Sequence, residues 1–246
     1  MFDPAPLLAV EDLERQLARV ADACRHSQRP FVTVSYAQSI DGSIATRHRR
    51  PLPLSSPDAM RMTHTLRALH DGILVGIETV LADDPQLSVR LVEGPHPRPV
   101  VLDSRLRTPP NARLLRRRHC RSWLVGAVDT PSSRVMDMTR AGAEVLTCPR
   151  DARNGRLDIH QTLGLLHARG IKRLMVEGGA RVITSFVQAQ MVDLFIVTIA
   201  PKLIGGLQVL AAPTNGAKAF MPLTGVRYAR LGDDLILWAR PVGAMS

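Results

Sequence analysis

Cysteine and aromatic residues are scarce in this sequence, and each shortage argues against a class of protein. The chain of 246 residues has 3 cysteines, at positions 24, 120 and 148, and no Cys-x-x-Cys pair. An odd number of isolated cysteines supports neither a zinc ribbon nor a disulfide framework. Aromatic residues make up 4% of the chain and are not interleaved with the short arginine runs. That interleaving is typical of proteins that bind single-stranded nucleic acid.

Lysine is rarer still, so the positive charge comes almost entirely from arginine. Lys+Arg 32 against Asp+Glu 22 gives a formal net charge of +10, yet lysine occurs only at positions 172, 202 and 218. A basic balance favours nucleic acid or acidic ligands. Because the arginines are scattered along the chain, we interpret the excess of positive charge as a general bias in amino-acid composition. We therefore expect no nucleic-acid partner. A non-catalytic protein that binds nucleic acid or another ligand stays the alternative of a different class.

Long apolar runs, a secretory signal and the common catalytic fingerprints are also missing. The apolar stretches are too short to cross a bilayer, and the N-terminus lacks the basic-then-apolar layout of a signal peptide. We therefore expect a soluble, cytoplasmic protein with no membrane segment. No Gly-x-Gly-x-x-Gly, Gly-x-x-x-x-Gly-Lys-Ser/Thr, Gly-x-Ser-x-Gly or His-Glu-x-x-His sequence occurs. The 8 histidines have no ligand spacing, so no metal site is expected.

The sequence does contain a regular alternation of apolar strands and amphipathic helices. Strands are predicted at residues 31–37, 72–76, 100–102, 122–125, 144–146, 173–176, 194–200, 226–231 and 235–240. Helices are predicted at residues 8–27, 58–69, 132–141, 157–169 and 180–190. This pattern predicts an α/β fold with a mainly parallel central sheet, flanked by helices, and a C-terminal antiparallel hairpin. We expect residues 1–29 to be an N-terminal helical extension and residues 30–246 to be one domain.

Ligands of open α/β sheets bind beyond the carboxyl ends of the strands, and four loops lie there in the predicted fold. In one of them, Glu177, Gly178 and Gly179 join a buried strand to a helix. Two glycines let the backbone approach a ligand closely, and the start of a helix favours phosphate. Glu177 would then orient a polar substrate; the alternative is a plain turn with a surface glutamate. The loop at residues 39–42 is instead predicted to be an ordinary Asp-Gly turn.

The other two loops carry polar side chains that suit a nucleotide. Thr79 and Asp83 are four residues apart, which places them on one face of a short helical turn. They suit ribose hydroxyls or amide groups, or they belong to a solvated turn. Ser104, together with Arg105 or Arg107, suits the 2′-phosphate of a dinucleotide, because guanidinium pairs bidentately with phosphate. A solvated basic turn is the alternative.

Six segments, in this order along the chain, resemble the reductases of riboflavin biosynthesis. They are residues 36–42, 66–76, 79–87, 101–104, 176–179 and 199–206. The resemblance covers roughly residues 30–240 and identifies residues 30–246 as the reductase domain. It implies a dihydrofolate-reductase-like fold, a homodimer, and NADPH-dependent reduction of a ribosylaminopyrimidine 5′-phosphate to its ribitylamino form.

Carried over position by position, the resemblance also implies roles for individual residues. The implied cofactor contacts are Ala37, Thr79, Asp83, Ser104, Gly178, Gly179, Ala180, Arg181, Val182, Ile183, Thr184 and Ser185. The implied substrate contacts are Arg67, Leu87, Arg90 and Glu177. Glu177 is also the candidate catalytic residue, which orients the pyrimidine or relays a proton. Arg67 and Arg90 suit a phosphate-bearing substrate, because each donates paired, charge-assisted hydrogen bonds.

The chain departs from many two-domain bacterial members at two places. Ser35 stands where they carry lysine, and Pro51-Leu52-Pro53 where they often carry Ser-x-Trp. Residues 36–39 are more similar to stand-alone fungal or archaeal-type reductases. The substrate is therefore either the diamino pyrimidine or its deaminated form. A dihydrofolate-reductase-like enzyme that acts on another pterin or pyrimidine stays the alternative.

Overall fold

A nine-stranded sheet lies at the centre of the computed structural model, which describes residues 27–48, 52–117, 120–210 and 221–243. Its strands are β1 (Phe31–Ser39), β3 (Gly72–Gly76), β4 (Arg98–Leu102), β5 (Trp123–Ala127), β6 (Glu144–Cys148), β7 (Arg173–Val176), β8 (Leu194–Ala200), β10 (Leu223–Leu231) and β11 (Asp234–Pro241). Two short strands, β2 (Ser43–Ala45) and β9 (Leu207–Gln208), pair with each other. The predicted helix 8–27 lies almost wholly outside the described residues, so the N-terminal extension 1–29 stays a prediction.

The strand order is β10-β11-β8-β1-β7-β3-β4-β5-β6. Every pairing from β8 through β6 is parallel, and β11 and β10 are antiparallel additions at one edge. Strand β7 is inserted between β1 and β3, and its Val176 lies opposite both Val34 and Leu74. This topology confirms the predicted parallel sheet with a C-terminal antiparallel hairpin.

Helices cover both faces of this sheet. In the described part of the chain they are α1 (Pro57–Ala68), α2 (Ile77–Asp83), α3 (Ser132–Arg140), α4 (Ile159–Ala168) and α5 (Ala180–Gln188), with a short 3₁₀ helix at Arg113–Arg116. Successive strand residues point to opposite faces. Met175 of β7 therefore packs with α1, whereas its neighbour Val176 packs with α4 and α5. The result is a three-layer α/β/α arrangement.

Helix α1 begins where the sequence favours a helix start. The Ser56 hydroxyl accepts a hydrogen bond of 3.3 Å from the Ala59 N–H, and Pro57 occupies the first turn of α1. Helix α2 follows β3 directly and ends at Asp84, which adopts a left-handed conformation. In the described ranges, no helix is long and apolar enough to cross a membrane.

The parallel neighbours β1, β7, β3 and β4 all end at the same edge of the sheet. The loops that follow them are the ones in which the sequence carries its candidate functional residues. We call this edge the carboxyl rim. It is the place where ligands of open α/β sheets bind.

Candidate functional site

An ion pair between Glu177 and Arg67 lies at the middle of the carboxyl rim. Glu177 follows β7, and Arg67 lies in the last turn of α1, 110 residues away in sequence. Arg67 Nε and Nη2 each donate a hydrogen bond of 2.7 Å to one of the two carboxylate oxygens. The side chains are 12% and 14% exposed. Burial opposes the charge of Arg67, but the Glu177 carboxylate raises the pKa of this guanidinium overall. The pair holds the carboxylate in one orientation.

The remaining nitrogen of Arg67 reaches the segment that follows α2. Arg67 Nη1 donates a hydrogen bond of 3.1 Å to the Ser88 carbonyl oxygen and lies 3.3 Å from His64 Nε2. His64 Nδ1 in turn accepts a hydrogen bond of 2.8 Å from the Arg90 backbone N–H. The structure therefore brings three of the implied substrate contacts, Arg67, Glu177 and Arg90, close together.

Arg90 and Leu87, which lie in this segment, differ in what they can offer a ligand. The Arg90 side chain is exposed and its Nη1 donates a hydrogen bond of 2.8 Å to Ser88 Oγ. Partial burial and the positive charges of Arg67 and Arg113 lower the pKa of Arg90. Leu87 is 3% exposed, has a left-handed φ of 51° and packs in the core. Its side chain is therefore a core residue, and only its backbone is left for a substrate contact.

Two helix starts meet beside the ion pair. Gly76 caps α2 and Gly179 caps α5, and the Gly179 N–H donates a hydrogen bond of 3.3 Å to Thr79 Oγ1. A Cβ on Gly76 would lie 2.6 Å from Val182, and one on Gly178 would lie 3.1 Å from the same side chain. The two backbones therefore pack closely, and the first N–H groups of α5 have no acceptor within the helix. We call Gly76, Gly178, Gly179 and the first turn of α5 the glycine cradle.

The implied cofactor contacts in α5 are divided between the core and the surface. Ala180, Val182, Ile183 and Thr184 are buried, whereas Ser185 is half-buried and Arg181 is exposed. Thr184 Oγ1 bonds back to the Ala180 carbonyl oxygen, so it is not directed at a ligand. The buried side chains belong to the core. What α5 presents at the rim is the backbone N–H groups of its first turn and the side chain of Arg181.

Three other implied cofactor contacts are Ala37, Ser104 and Asp83. Ala37 is in β1, on one side of β7, and Ser104 follows β4, two strands away on the other side. The Ser104 carbonyl oxygen accepts hydrogen bonds of 3.2 Å from the Ala127 N–H and 3.1 Å from Thr130 Oγ1. Asp83 is exposed in the last turn of α2. None of these three residues is part of the glycine cradle.

A charged cluster lies where α2 and α5 begin. Arg107 Nη2 donates a hydrogen bond of 2.6 Å to Glu78 Oε1, and Arg181 Nη1 lies 4.0 Å from the same oxygen. The hydrogen bond to Glu78 raises the pKa of Arg107. Since all three side chains are more than 40% exposed, an incoming anion can compete with Glu78 for the two guanidinium groups.

The loop at residues 39–42 is held by hydrogen bonds to its own residues and to the segment at residues 204–205. Asp41 accepts hydrogen bonds from the hydroxyls of Ser39 and Ser43 at 2.5 and 2.8 Å. It also accepts from the backbone N–H groups of Ile204 and Gly205 at 3.0 and 2.8 Å. These donors, the Ser39 hydroxyl first, hold the pKa of Asp41 well below its usual range. Both carboxylate oxygens serve the turn, as the interpretation of residues 39–42 as an ordinary turn requires.

Two residues of this site, His64 and Glu78, were not predicted from the sequence. His64 is buried, at 1% exposure, three residues before Arg67 on α1. That spacing, which makes them neighbours on one helix face, is the signal by which His64 could have been found. Glu78 directly precedes Thr79, and its approach to Arg107 and Arg181 depends on tertiary structure. In the described ranges, no three metal-ligating side chains are grouped so that they could hold a metal ion.

Residues 30–237 match the model of a family described as the RibD C-terminal domain. The chain is 37% identical over 224 residues to the 2,5-diamino-6-ribosylamino-4(3H)-pyrimidinone 5′-phosphate reductase of Archaeoglobus fulgidus. The aligned region covers 86% of this chain and 98% of that protein. It is 40% identical over 182 residues to the Methanothermobacter thermautotrophicus protein of the same name, covering 72% and 81%.

A solved structure shows the same architecture. The riboflavin biosynthesis reductase Rib7 of Saccharomyces cerevisiae matches this chain with a TM-score of 0.75 at 27% identity, over 94% of this chain and 99% of that one. This likeness, together with the strand order, confirms the predicted α/β fold class with a mainly parallel central sheet.

Proposed function

Because the chain belongs to the family of the RibD C-terminal domain, we propose that it reduces the ribosylamino group of 2,5-diamino-6-ribosylamino-4(3H)-pyrimidinone 5′-phosphate to a ribitylamino group in riboflavin biosynthesis. The observation that carries this proposal is the Arg67–Glu177 pair beside the glycine cradle. The names of its relatives favour the diamino substrate, and the Archaeoglobus fulgidus protein is matched over 98% of its length.

The carboxyl rim fits a nicotinamide dinucleotide. The glycine cradle offers closely packed backbone and the N-terminal N–H groups of α5, a combination that suits a pyrophosphate. The charged cluster of Glu78, Arg107 and Arg181 suits a 2′-phosphate, which favours NADPH over NADH. When bound, this cofactor supplies the hydride that reduces C1′ of the ring-opened sugar.

The chain's own residues bind and orient the pyrimidine phosphate. Glu177, held in place by Arg67, receives hydrogen bonds from N–H groups of the pyrimidine and fixes its position. Each guanidinium nitrogen of Arg67 contacts the protein, whereas Arg90 is exposed. We therefore assign the phosphate to Arg90 and a supporting role to Arg67. As C1′ gains the hydride, the neighbouring nitrogen of the open-chain imine gains a proton, which completes the secondary amine.

A substrate panel tests the activity. The purified protein is incubated with NADPH and, separately, with the diamino pyrimidine phosphate, its deaminated form and dihydrofolate, while loss of reduced-nicotinamide absorbance is followed. We expect turnover with the diamino compound and none with dihydrofolate. Turnover with dihydrofolate alone, or with none of the three, would contradict the proposal. A preference for the deaminated pyrimidine would overturn the assigned substrate but leave the reaction type.

Cofactor preference is tested by titration. Arg107→Ala is expected to weaken NADPH binding by about tenfold, the value of one lost charge-assisted contact, and to leave NADH binding unchanged. Arg153→Ala, which removes an exposed arginine paired only with neighbours in its own loop, is the matched control and should change neither affinity. Equal losses for NADPH and NADH would remove Arg107 from 2′-phosphate recognition.

We also propose that the protein is a cytoplasmic homodimer. Strand β10 is the edge of the sheet, and its exposed residues include Leu223, Val226 and Tyr228. A second copy of this chain is the occupant that we propose for this apolar edge. Cys120 and Cys148 are free thiols, which suits a reducing compartment. Sedimentation of the wild type and of Val226→Asp tests the dimer; a monomeric wild type would contradict it.

A further inference from the structure

His64 is a buried polar residue that the proposed chemistry does not use. It lies on α1, one turn before Arg67, with 1% of its surface exposed. Its Nδ1 accepts the Arg90 backbone N–H at 2.8 Å, and the Leu91 N–H lies 3.4 Å from the same nitrogen. A buried ring that is bonded to the backbone of a loop, rather than to its own helix, constrains where that loop lies.

The hydrogen bonds determine the form of the ring. A backbone N–H can only donate, so Nδ1 carries the lone pair and the neutral ring carries its hydrogen on Nε2. Burial, followed by the charges of Arg67 and Arg90, lowers the pKa of His64 to about 4. The ring is therefore neutral near neutral pH. Since Arg67 has no lone pair, its approach to Nε2 at 3.3 Å is a contact between two donors and not a hydrogen bond.

Two links thus join α1 to the segment at residues 88–91. Arg67 donates to the Ser88 carbonyl oxygen, and His64 accepts from Arg90 two residues later. Arg67 belongs to the ion pair with Glu177, so the first link starts from the centre of the site. The second link fixes the residue whose exposed guanidinium we assign to the substrate phosphate.

We propose that His64 is a positioning residue, which through Nδ1 holds the Arg90 backbone beside the Arg67–Glu177 pair and so sets where the Arg90 guanidinium meets the substrate phosphate. This inference rests on the proposed function, because it is there that Arg90 is assigned to the substrate phosphate. His64 itself touches neither substrate nor cofactor. Its effect should therefore appear in substrate binding and leave cofactor binding unchanged.

Three substitutions test this role, since each keeps a different atom of the ring. His64→Leu removes both nitrogens, His64→Asn keeps an acceptor near the place of Nδ1, and His64→Gln keeps polar atoms only near the place of Nε2. His64→Leu is expected to raise the substrate KM by about tenfold, with kcat and the NADPH dissociation constant within about twofold of wild type. His64→Asn should restore most of the loss, and His64→Gln should not.

Amide hydrogen exchange at residues 90–91 supplies a second measurement. We expect faster exchange in the Leu and Gln variants and near-native protection in the Asn variant. Unchanged KM in His64→Leu, or equal KM values for the Asn and Gln variants, would overturn the positioning role. A loss of cofactor affinity parallel to that of the substrate would overturn it too. If His64→Leu does not fold, the comparison of Asn with Gln decides.

Failure of the proposed function would look different. The wild type would then show no turnover with the pyrimidine phosphate, whereas a failed positioning role leaves wild-type turnover intact. If the wild type shows no turnover, the dissociation constant of ribose 5-phosphate, measured by titration, replaces KM as the readout. Weaker binding by His64→Gln than by His64→Asn would support the role of His64 in placing Arg90, and equal binding would overturn it.

Discussion

Removal of Glu177 or Arg67 alone should cost more stability than removal of both, because either one left alone is a largely buried charge without its partner. The two side chains nevertheless have different roles in the proposed site. Glu177 presents the carboxylate to the substrate, and Arg67 fixes that carboxylate through two parallel hydrogen bonds. Turnover therefore tests the role of Glu177, and unfolding measurements on single and double variants test the ion pair.

Glu177→Gln should lower turnover far more than it weakens cofactor binding. The amide keeps the size of the side chain, but only its oxygen can accept a hydrogen bond from Arg67 or the pyrimidine. We expect kcat/KM to fall by about a hundredfold or more, the usual loss for an orienting or proton-transfer group. Steady-state kinetics and NADPH titration measure this. Glu144→Gln, at the amino end of β6, is the control; unchanged turnover in Glu177→Gln would remove Glu177 from the mechanism.

Arg67→Ala is expected to lower the free energy of unfolding by about 3 kcal/mol, because Glu177 is left buried without its partner. Arg67→Leu combined with Glu177→Leu should lower it by less, since neither charge is then left behind. Chemical denaturation of the two variants makes the comparison. A double variant that is less stable than Arg67→Ala would show that the pair contributes net stability. The substrate KM of Arg67→Ala should rise as well.

Residue types at the rim were predictable from the sequence, but their pairing was not. The strand-to-helix turn at residues 177–179 indicated a functional loop by its glycines alone. Nothing local links Arg67 to Glu177, because the contact spans 110 residues of sequence. The burial of Leu87 was missed for a similar reason: its left-handed backbone turns the side chain into the core, and sequence pattern does not reveal backbone handedness at a non-glycine residue.

At the scale of the element, α2 and α5 act as a pair. Gly179 must approach Thr79 closely enough for a hydrogen bond, and Gly76 must leave room for Val182. The two helix starts are therefore held in one relative position before any ligand arrives. A preorganised backbone site of this kind loses little entropy on binding.

Gly179→Val should disturb this pair and weaken the cofactor site. An added Cβ would lie 3.3 Å from Thr79 Oγ1, and the branched side chain would extend toward the first turn of α5. We expect the NADPH dissociation constant to rise by about tenfold or more, the loss expected when backbone approach to phosphate is blocked. Gly164→Val is the matched control, because a Cβ there meets no atom within 4 Å. Normal NADPH binding by Gly179→Val would refute the assignment of the cradle.

Long elements were predictable and short ones were not. The start of α1 at Ser56-Pro57 and the alternation of strands and helices were evident from capping and apolar periodicity. Strands β2 and β9 have 3 and 2 residues, and they depend on the hydrogen bonds that Asp41 makes to residues 204 and 205. Strand β10 starts at Leu223 rather than at residue 226, because an irregularity between Thr224 and Arg227 interrupts its pattern.

At the scale of the whole molecule, two buried histidines on one side of the sheet govern the response to acid. His70 Nδ1 donates a hydrogen bond of 2.6 Å to the Leu66 carbonyl oxygen, and Nε2 accepts one of 2.9 Å from Thr33 Oγ1. Burial lowers the pKa of His70 to about 4, and burial with the nearby arginines does the same for His64. Both rings are therefore neutral in the folded protein near neutral pH.

Stability should consequently fall as the pH drops from 6.5, the ordinary pKa of histidine, toward 4. In this range the unfolded chain binds protons that the folded protein does not, so the free energy of unfolding decreases with decreasing pH. We expect a loss of roughly 3 kcal/mol for each ring. Urea unfolding across this range measures it. His70→Gln should flatten the dependence, while His160→Gln, an exposed control, should not; the same slope in all three proteins would contradict this origin.

The insertion of β7 between β1 and β3 has a consequence for how the chain is made. During vectorial synthesis, β1, β3, β4, β5 and β6 leave the ribosome before the strand that joins them. The nascent chain then holds the β3-β4-β5-β6 fragment and the separate strand β1, whose sheet partners β7 and β8 both come later. The two cannot be joined until Arg173–Val176 emerges. The strand that precedes Glu177 is thus also the one that joins the central sheet, and a ribosome that pauses before it would prolong the time for which the edges of β1 and β3 stay unpaired.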